Sequence, residues 1–433
     1  MPIDEYIPPI EFTAAGATPE EQKTNLKIVE PSPGFEPAAD LVSEAIVKNA
    51  DVTVLDFNQQ QVVVRFQIDG LWHAGVPMDR ETGDYMLASL KQLAGLDYRE
   101  RRARQEGNFG TLYLKIRQKF KLVSQGIQTG ERVALYLDYK RPPLDSCEQL
   151  GMRLSMLNQL KPIVNDSEMG NVLVSAVPGQ GYTSAWRGVL DACDRLTRDY
   201  YVLEETGKLE PEVINVNPIE FDPAKGEDAM SPIEQLLLKQ PDVLAFPELP
   251  NGDLINRIVD LSVSKNIPIF TRNPGKHCVD AMLRVLVLKP DAKKFADRLT
   301  AVVSMRLIRL LCDNCKIGFQ PAPALLQKLG LPSGRVAQLY QPFVFRPGMT
   351  DENEVEIEPC SVCSGVGYRG RTGLFEMLTL NDELRKALVA TPRMDQLSAI
   401  AKRHGHISMQ MEGIVMVAAG KTSIEELQRV LKA

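Results

Sequence analysis

Residues 171–186 read NVLVSAVPGQGYTSAW, and this stretch decides the architecture. Asn171–Ala176 is a largely apolar run, the pattern of a strand buried on both faces. Gly179 and Gly181 then give a tight turn, and "SAWRGVLDACDRL" carries apolar residues at helical spacing. A strand that runs through a Gly-rich turn into a helix aims backbone N–H groups at whatever lies beyond the helix N-terminus, which suits a phosphate. A complete phosphate-cradling loop adds a lysine as a point charge and a Ser/Thr hydroxyl for magnesium. Thr183 and Ser184 offer hydroxyls, but Tyr182 stands at the lysine position and Ala176 at the first glycine. Tyrosine, with a reference pKa of about 10, is neutral at pH 7 and brings no cation to a transferring phosphoryl group. By itself PGQGYTS is a weak signal that an ordinary Gly-rich strand-to-helix turn explains.

Downstream, strands and helices alternate: "YYVLEE", "VINVN", helix "SPIEQLLLKQ", strand "DVLAFPE", helix "LINRIVDLSVSKN", strand "IPIFTR". Alternation at this spacing predicts a mostly parallel sheet covered on both faces. Upstream, "ADLVSEAIVKNA" has helical periodicity, "VTVLDF" and "VVVRFQIDGLWHAG" read as paired strands, and Asp69-Gly70 reads as their hairpin turn. The expected organisation is a Pro-rich arm or linker over 1–37, an α+β domain over 38–145, a nucleotide-type α/β domain over 146–300, and a mainly helical region with a cysteine segment over 301–433.

The chain has 433 residues, 44% of them hydrophobic, too many for one compact core and enough for two or three. No apolar run approaches the roughly 20 residues that span a bilayer, and "MPIDEYIPPIEF" lacks a basic-then-apolar leader, so a cytoplasmic location is expected. A net charge of −6 argues against an electrostatic nucleic-acid binder. Two C-x-x-C pairs, Cys312/Cys315 and Cys360/Cys363, can close a tetrahedral thiolate shell around a structural zinc. Cys147, Cys193 and Cys278 have no such spacing and read as buried apolar thiols. Tyr182 and Trp186 read as packing aromatics, and His404 and His406 in "KRHGHI" as solvent-facing.

"MRLIRLLCDNCK" followed by "PCSVCSGVGYRGRTGLFEML" resembles the zinc segment of the traffic ATPases that drive type II secretion and type IV pilus assembly. "LVSEAIVKNADVTVL", "VRFQIDGLWH", "LAGLDYRERRARQEG", "GERVALYLD" and the closing "MEGIVMVAAGKTSIEELQRV" extend the likeness from about Ala38 to the end. The resemblance implies a RecA-like P-loop domain after an N-terminal α+β domain, and a zinc-bearing, mainly helical C-terminal region. It places the nucleotide loop on Ala176 to Ser184, with Gly179, Gln180, Gly181, Tyr182, Thr183 and Ser184 as cofactor-binding positions. Glu248 in "QPDVLAFPELPN" becomes the retained, vestigial catalytic acid, with Pro247 at the preceding glycine and Pro250-Asn251 at an Arg-Asp pair. "VNPIE" matches the acidic box with Val216 and Asn217 at the leading acids and Pro218 and Glu220 kept. Asn273 in "FTRNP" takes the histidine position. Leu122 and Tyr136 stand at two nucleotide-binding arginines, while Arg101 and Arg102 survive.

Scaffold motifs thus match and phosphoryl-transfer motifs do not, and the resemblance implies a pseudo-ATPase. Such a protein would be a structural or regulatory cytoplasmic subunit, at most peripheral at the inner membrane. Its partners would be platform or adaptor proteins and other copies, as a homo-oligomer or mixed with an active paralogue, hexameric by resemblance. Zinc is the expected cofactor; ATP and magnesium stay open. Two alternatives remain: a slow ATPase using Glu248, and a nucleotide-binding module without hydrolysis.

Overall fold

A computed structural model describes residues 10–138, 144, 146–166, 170–332, 334, 336–346, 348–350 and 355–432. They fall into two compact units, 1–142 with 345–366 and 143–344 with 367–433.

The first unit contains β1 (Glu11–Thr13), α1 (Pro19–Val29), α2 (Phe35–Val47), β2 (Val52–Phe57), β3 (Gln61–Ile68), β4 (Leu71–Ala74), β5 (Met78–Asp79), α3 (Arg80–Leu93), β6 (Gln105–Tyr113), β7 (Ile116–Ile127) and β8 (Gly130–Asp138). Its antiparallel sheet runs β1-β6-β7-β8-β2-β3-β4, with β5 beside β3. The expected hairpin turn is there: Asp69 and Gly70 both adopt positive φ, 49° and 82°, between β3 and β4, as a tight two-residue turn requires. Alternate residues of β3, Val62, Val64, Phe66 and Ile68, enter the core under α2 and α3.

The stretch expected as an arm departs from that reading. Residues 1–9 lie outside the described residues, but Phe12, Ala14 and Val29 are buried in this core, with Phe12 edge-on to Phe35 at 5.5 Å. Pro19 falls in the first turn of α1, where its fixed φ favours a helix, and Thr18 Oγ1 accepts from the Glu21 amide. So few apolar residues give no periodic signal; they are buried by partners distant in sequence.

The second unit begins with α4 (Leu154–Val164), β9 (Asn171–Ala176), α5 (Tyr182–Asp191), β10 (Tyr200–Glu205), β11 (Val216–Phe221) and α6 (Ile233–Leu237). It continues with β12 (Val243–Phe246), α7 (Gly252–Lys265), β13 (Ile269–Arg272), α8 (Cys278–Val287), α9 (Ala292–Arg298) and β14 (Leu299–Leu311). After these come β15 (Ile317–Phe319), α10 (Pro323–Leu329), β16 (Leu339–Gln341), β17 (Tyr368–Thr379), α11 (Asp382–Ala390), α12 (Met394–Arg403), α13 (Met409–Ala418) and α14 (Ile424–Lys432).

The main sheet runs β11-β10-β12-β13-β9-β14-β17, parallel except for β17. Strand β9 lies inside it and is buried at every position. Val172, Val174 and Ala176 face the α5 side with Trp186 and Val189; Leu173 faces the α7 and α8 side. The α/β class and parallel sheet match the sequence reading, but the boundary at residue 300 does not. It cuts β14, and both β14 and β17 come from the region expected to be mainly helical. "LTAVVSMRLIRLL" mixes charged and apolar residues without a strict period of two; pairing with β9 and β17 makes it a strand. Among the described residues no helix is long and apolar enough to cross a membrane.

Candidate functional site

The loop between β9 and α5 turns through two left-handed glycines into the helix start. Gly179 and Gly181 take φ of 76° and 86°, a conformation that disfavours residues with a Cβ. The Gln180 amide closes a turn on Val177 O at 2.9 Å, and the Ala185 amide donates to Gly181 O at 2.8 Å, opening the helix. The amides of Tyr182, Thr183 and Ser184 precede that first helical bond and are left for other acceptors. A side chain at Gly179 would meet nothing within 4 Å, whereas a Cβ at Gly181 would lie 2.3 Å from Met305 Cε. The loop is therefore open beside Gly179 and closed against β14 beneath Gly181. Trp186 is 1% exposed in the core, as expected of a packing aromatic.

Tyr182, the first residue of α5, is held by a residue the sequence reading passed over. The Arg272 guanidinium, at the end of β13, lies over the Tyr182 ring with Cζ 4.1 Å from its centroid and 5.7 Å from that of Trp186. Arg272 Nε donates to Pro247 O at 3.2 Å; Nη2 donates to Glu210 at 2.6 Å and to Glu248 at 3.1 Å. Burial alone would depress the arginine, but the Glu210 hydrogen bond and charge, then Tyr182 and Glu248, hold it above its ordinary value. Burial pushes the Tyr182 phenol up, and Arg272 offsets this only in part, so the side chain stays neutral at physiological pH.

Glu204, near the end of β10, is 5% exposed. It lines a cavity of about 270 Å³ with Trp186, Glu210, Glu212 and Glu220. Burial, with the neighbouring charge of Glu210, pushes its pKa up to about 7. The acids of the site thus come from β10, its following loop, β11 and the loop after β12. The expected acidic box, Val216–Phe221, is the edge strand β11: Asn217 and Glu220 are exposed, and Val216, Pro218 and Glu220 line this same cavity. Glu204 pairs in register with Glu220 on that edge.

Asn273 is buried, its amide donating to Val174 O at 3.1 Å. Asn251 caps α7, accepting from the Leu254 amide at 2.9 Å, a structural role for its position. In the first unit Leu122 is buried in the core and Tyr136 is half exposed, while Arg101 pairs with Asp84 at 2.8 Å. His406 is not solvent-facing: its side chain is 8% exposed and its Nε2 lies 2.7 Å from buried Glu376, with Nδ1 3.1 Å from Met377 O. His404 is exposed and pairs with Glu383. Glu376 lies on β17, a strand the sequence reading did not anticipate, which is why the partner of His406 went unseen.

The Sγ atoms of Cys312, Cys315, Cys360 and Cys363 lie within 4.8 Å of one another. Zn–S bonds of about 2.3 Å put tetrahedral sulfurs about 3.8 Å apart, so a small contraction makes a closed S₄ shell. An all-thiolate set with no open position suits structural zinc rather than a catalytic metal. Cys312 and Cys315 lie in one turn, the Cys315 amide donating to Cys312 O at 3.2 Å. Cys147, Cys193 and Cys278 are buried, and desolvation raises all three thiols.

Residues 33–429 match the sequence model of a family described as "Type II/IV secretion system protein". The chain is similar to "Type IV pilus assembly ATPase PilB" of Thermus thermophilus, 23% identical over 389 residues, covering 89% of this chain but 42% of PilB. It is also similar to "Type II secretion system protein E" of Dickeya dadantii, 25% identical over 403 residues, covering 90% of this chain and 74% of that protein. Among solved structures, the Legionella pneumophila ATPase DotB superposes with a TM-score of 0.53 at 10% identity, covering 93% of this chain and 96% of DotB, a likeness of fold alone.

Proposed function

The chain belongs to the type II/IV secretion system protein family, and from that premise we propose that it is a member that does not hydrolyse ATP. It serves as a cytoplasmic structural or regulatory subunit of a type II secretion or pilus-type machine. One observation carries this reading: the helix-start position that needs a cation holds neutral Tyr182, and the acid Glu248 is paired with Arg272. Removing one preorganised electrostatic stabiliser typically lowers kcat by about 10²–10³-fold. Buried Asn273 adds a second unfavourable substitution. Assembly with further copies or with an active homologue, contact with a membrane platform or adaptor, and a loaded structural zinc belong to the same proposal.

The test is phosphate release from ATP by the purified chain beside Tyr182→Lys and Glu248→Gln. The expected result is no release above background in the wild type. Release that vanishes in Glu248→Gln would overturn the proposal and make the chain a slow ATPase. A second reading, ligand binding without turnover, is favoured by the loop itself, because helix N-terminal amides hold an anion without a lysine.

A further inference from the structure

Resting on that second reading, we propose that Arg272 is the cationic contact for a phosphate-bearing ligand at the start of α5, the part that residue 182 does not fill. Arg272 ends β13, which is hydrogen-bonded to β9, the strand that feeds the loop; Arg272 pairs in register with Val174. It is 3% exposed. Four contacts fix it: the Pro247 carbonyl on Nε, Glu210 and Glu248 on Nη2, and the Tyr182 ring against its face. Nη1 is buried and has no hydrogen-bond partner.

Buried donors in folded proteins are almost always satisfied, so an orphaned one on a rigidly held cation asks what it is kept for. The answer lies in what it adjoins. Tyr182, on which the guanidinium rests, is the first residue of α5, and the unbonded amides of that helix start beside it. Orphan amides and an orphan guanidinium N–H are all donors, and together they select an anion. Arginine suits phosphate, since its planar fork meets two oxygens at once.

The acids around Arg272 set how the ligand enters. Glu210 is 15% exposed and stays as the permanent counter-charge; Glu248 is 59% exposed and can move into solvent. A phosphate that takes Nη1 and displaces Glu248 from Nη2 leaves the guanidinium neutralised by Glu210 and bonded to the ligand. Glu248 is thus the competitor for Arg272, and Tyr182 is the platform that holds the guanidinium level.

The experiment is calorimetric titration of the full chain with inorganic pyrophosphate and with ADP, each with and without Mg²⁺, in wild type, Arg272→Gln, Arg272→Lys and Glu248→Gln. Phosphate release from ATP is followed on the same samples. Saturable wild-type binding is expected, weakened at least tenfold in Arg272→Gln, partly kept in Arg272→Lys, and tightened severalfold in Glu248→Gln. Pyrophosphate binding as tight as ADP assigns recognition to the phosphates alone, and tighter ADP adds a nucleoside contact; both support the contact when Arg272→Gln weakens them. If Arg272→Gln does not fold, the exposed Glu248→Gln decides, and unchanged or weaker binding there overturns the proposal. No wild-type binding, or binding that is unchanged or improved in Arg272→Gln, also overturns it, the last making Arg272 a plug. Phosphate release by the wild type would count against the non-hydrolysing reading alone, and loss of binding against Arg272 alone.

Discussion

Glu204 sits 5% exposed between Glu210 and Glu220, and its raised pKa has a consequence for stability. A carboxyl whose folded pKa lies above its unfolded value favours the folded state most when protonated. Its contribution is fully present below the ordinary value of 4.5 and is lost as pH rises through about 7. The wild type should lose stability over that interval by on the order of 3 kcal/mol at most, and Glu204→Gln should flatten the slope; urea unfolding at stepped pH measures both. An unchanged slope would rule the group out. Glu376 and Glu426 act with the opposite sign. His406 holds Glu376 low, and Arg429 and Arg309 hold Glu426 low, against burial in both cases, so their contribution is present above the ordinary glutamate range and lost below it. Tyr182 and Asn273 could be singled out at this scale from the residues around them in sequence; Arg272, Glu204 and Glu210 could not, because nothing local marks them.

The loop and α5 form the element on which any ligand reading depends, and their two glycines differ testably. Both have positive φ, but only Gly181 is also crowded, by Met305. Gly181→Ala should destabilise by about 1–3 kcal/mol, from strain and the forced shift of a core side chain. Gly179→Ala, with backbone strain alone, should cost less, about 1–2 kcal/mol. Denaturant midpoints of the two variants give the comparison, and equal losses would show that Met305 yields freely. The strand–turn–helix itself was legible, since apolar runs, glycines and helical period are all local signals. The identity of β14 was not, because its sequence suits more than one structure until β9 and β17 flank it.

Over the whole molecule, contacts between residues far apart in sequence join the C-terminal helices to the rest of their unit. Arg309 on β14 donates to Glu426 of α14 at 2.8 Å, and Arg153 Nε, at the start of α4, donates to Glu412 of α13 at 2.6 Å. The chain is expected to carry one zinc, four thiolates to one tetrahedral ion. Chelation, or Cys315→Ser, should lower the thermal midpoint by several degrees without altering pyrophosphate binding. Metal content by atomic absorption and a melting curve with and without chelator check this; a zinc-free chain with an unchanged midpoint would remove zinc from the account.

The sequence by itself determined the parallel α/β layer, the Gly-rich turn from strand to helix, the hairpin at Asp69-Gly70 and the spacing of the four cysteines. Each of these is written in residues a few positions apart, or in paired motifs whose chemistry is fixed by residue type. Only the tertiary structure decided that Phe12 and Val29 belong to a core, that His406 turns inward to Glu376, and that Arg272 rests on Tyr182 between Glu210 and Glu248. Ninety residues separate Tyr182 from Arg272 along the chain, and the parallel sheet brings them together by setting β13 beside β9. Periodicity reports how a segment meets its own neighbours. Which charge lies against which ring depends on strand order and register, which no local pattern encodes.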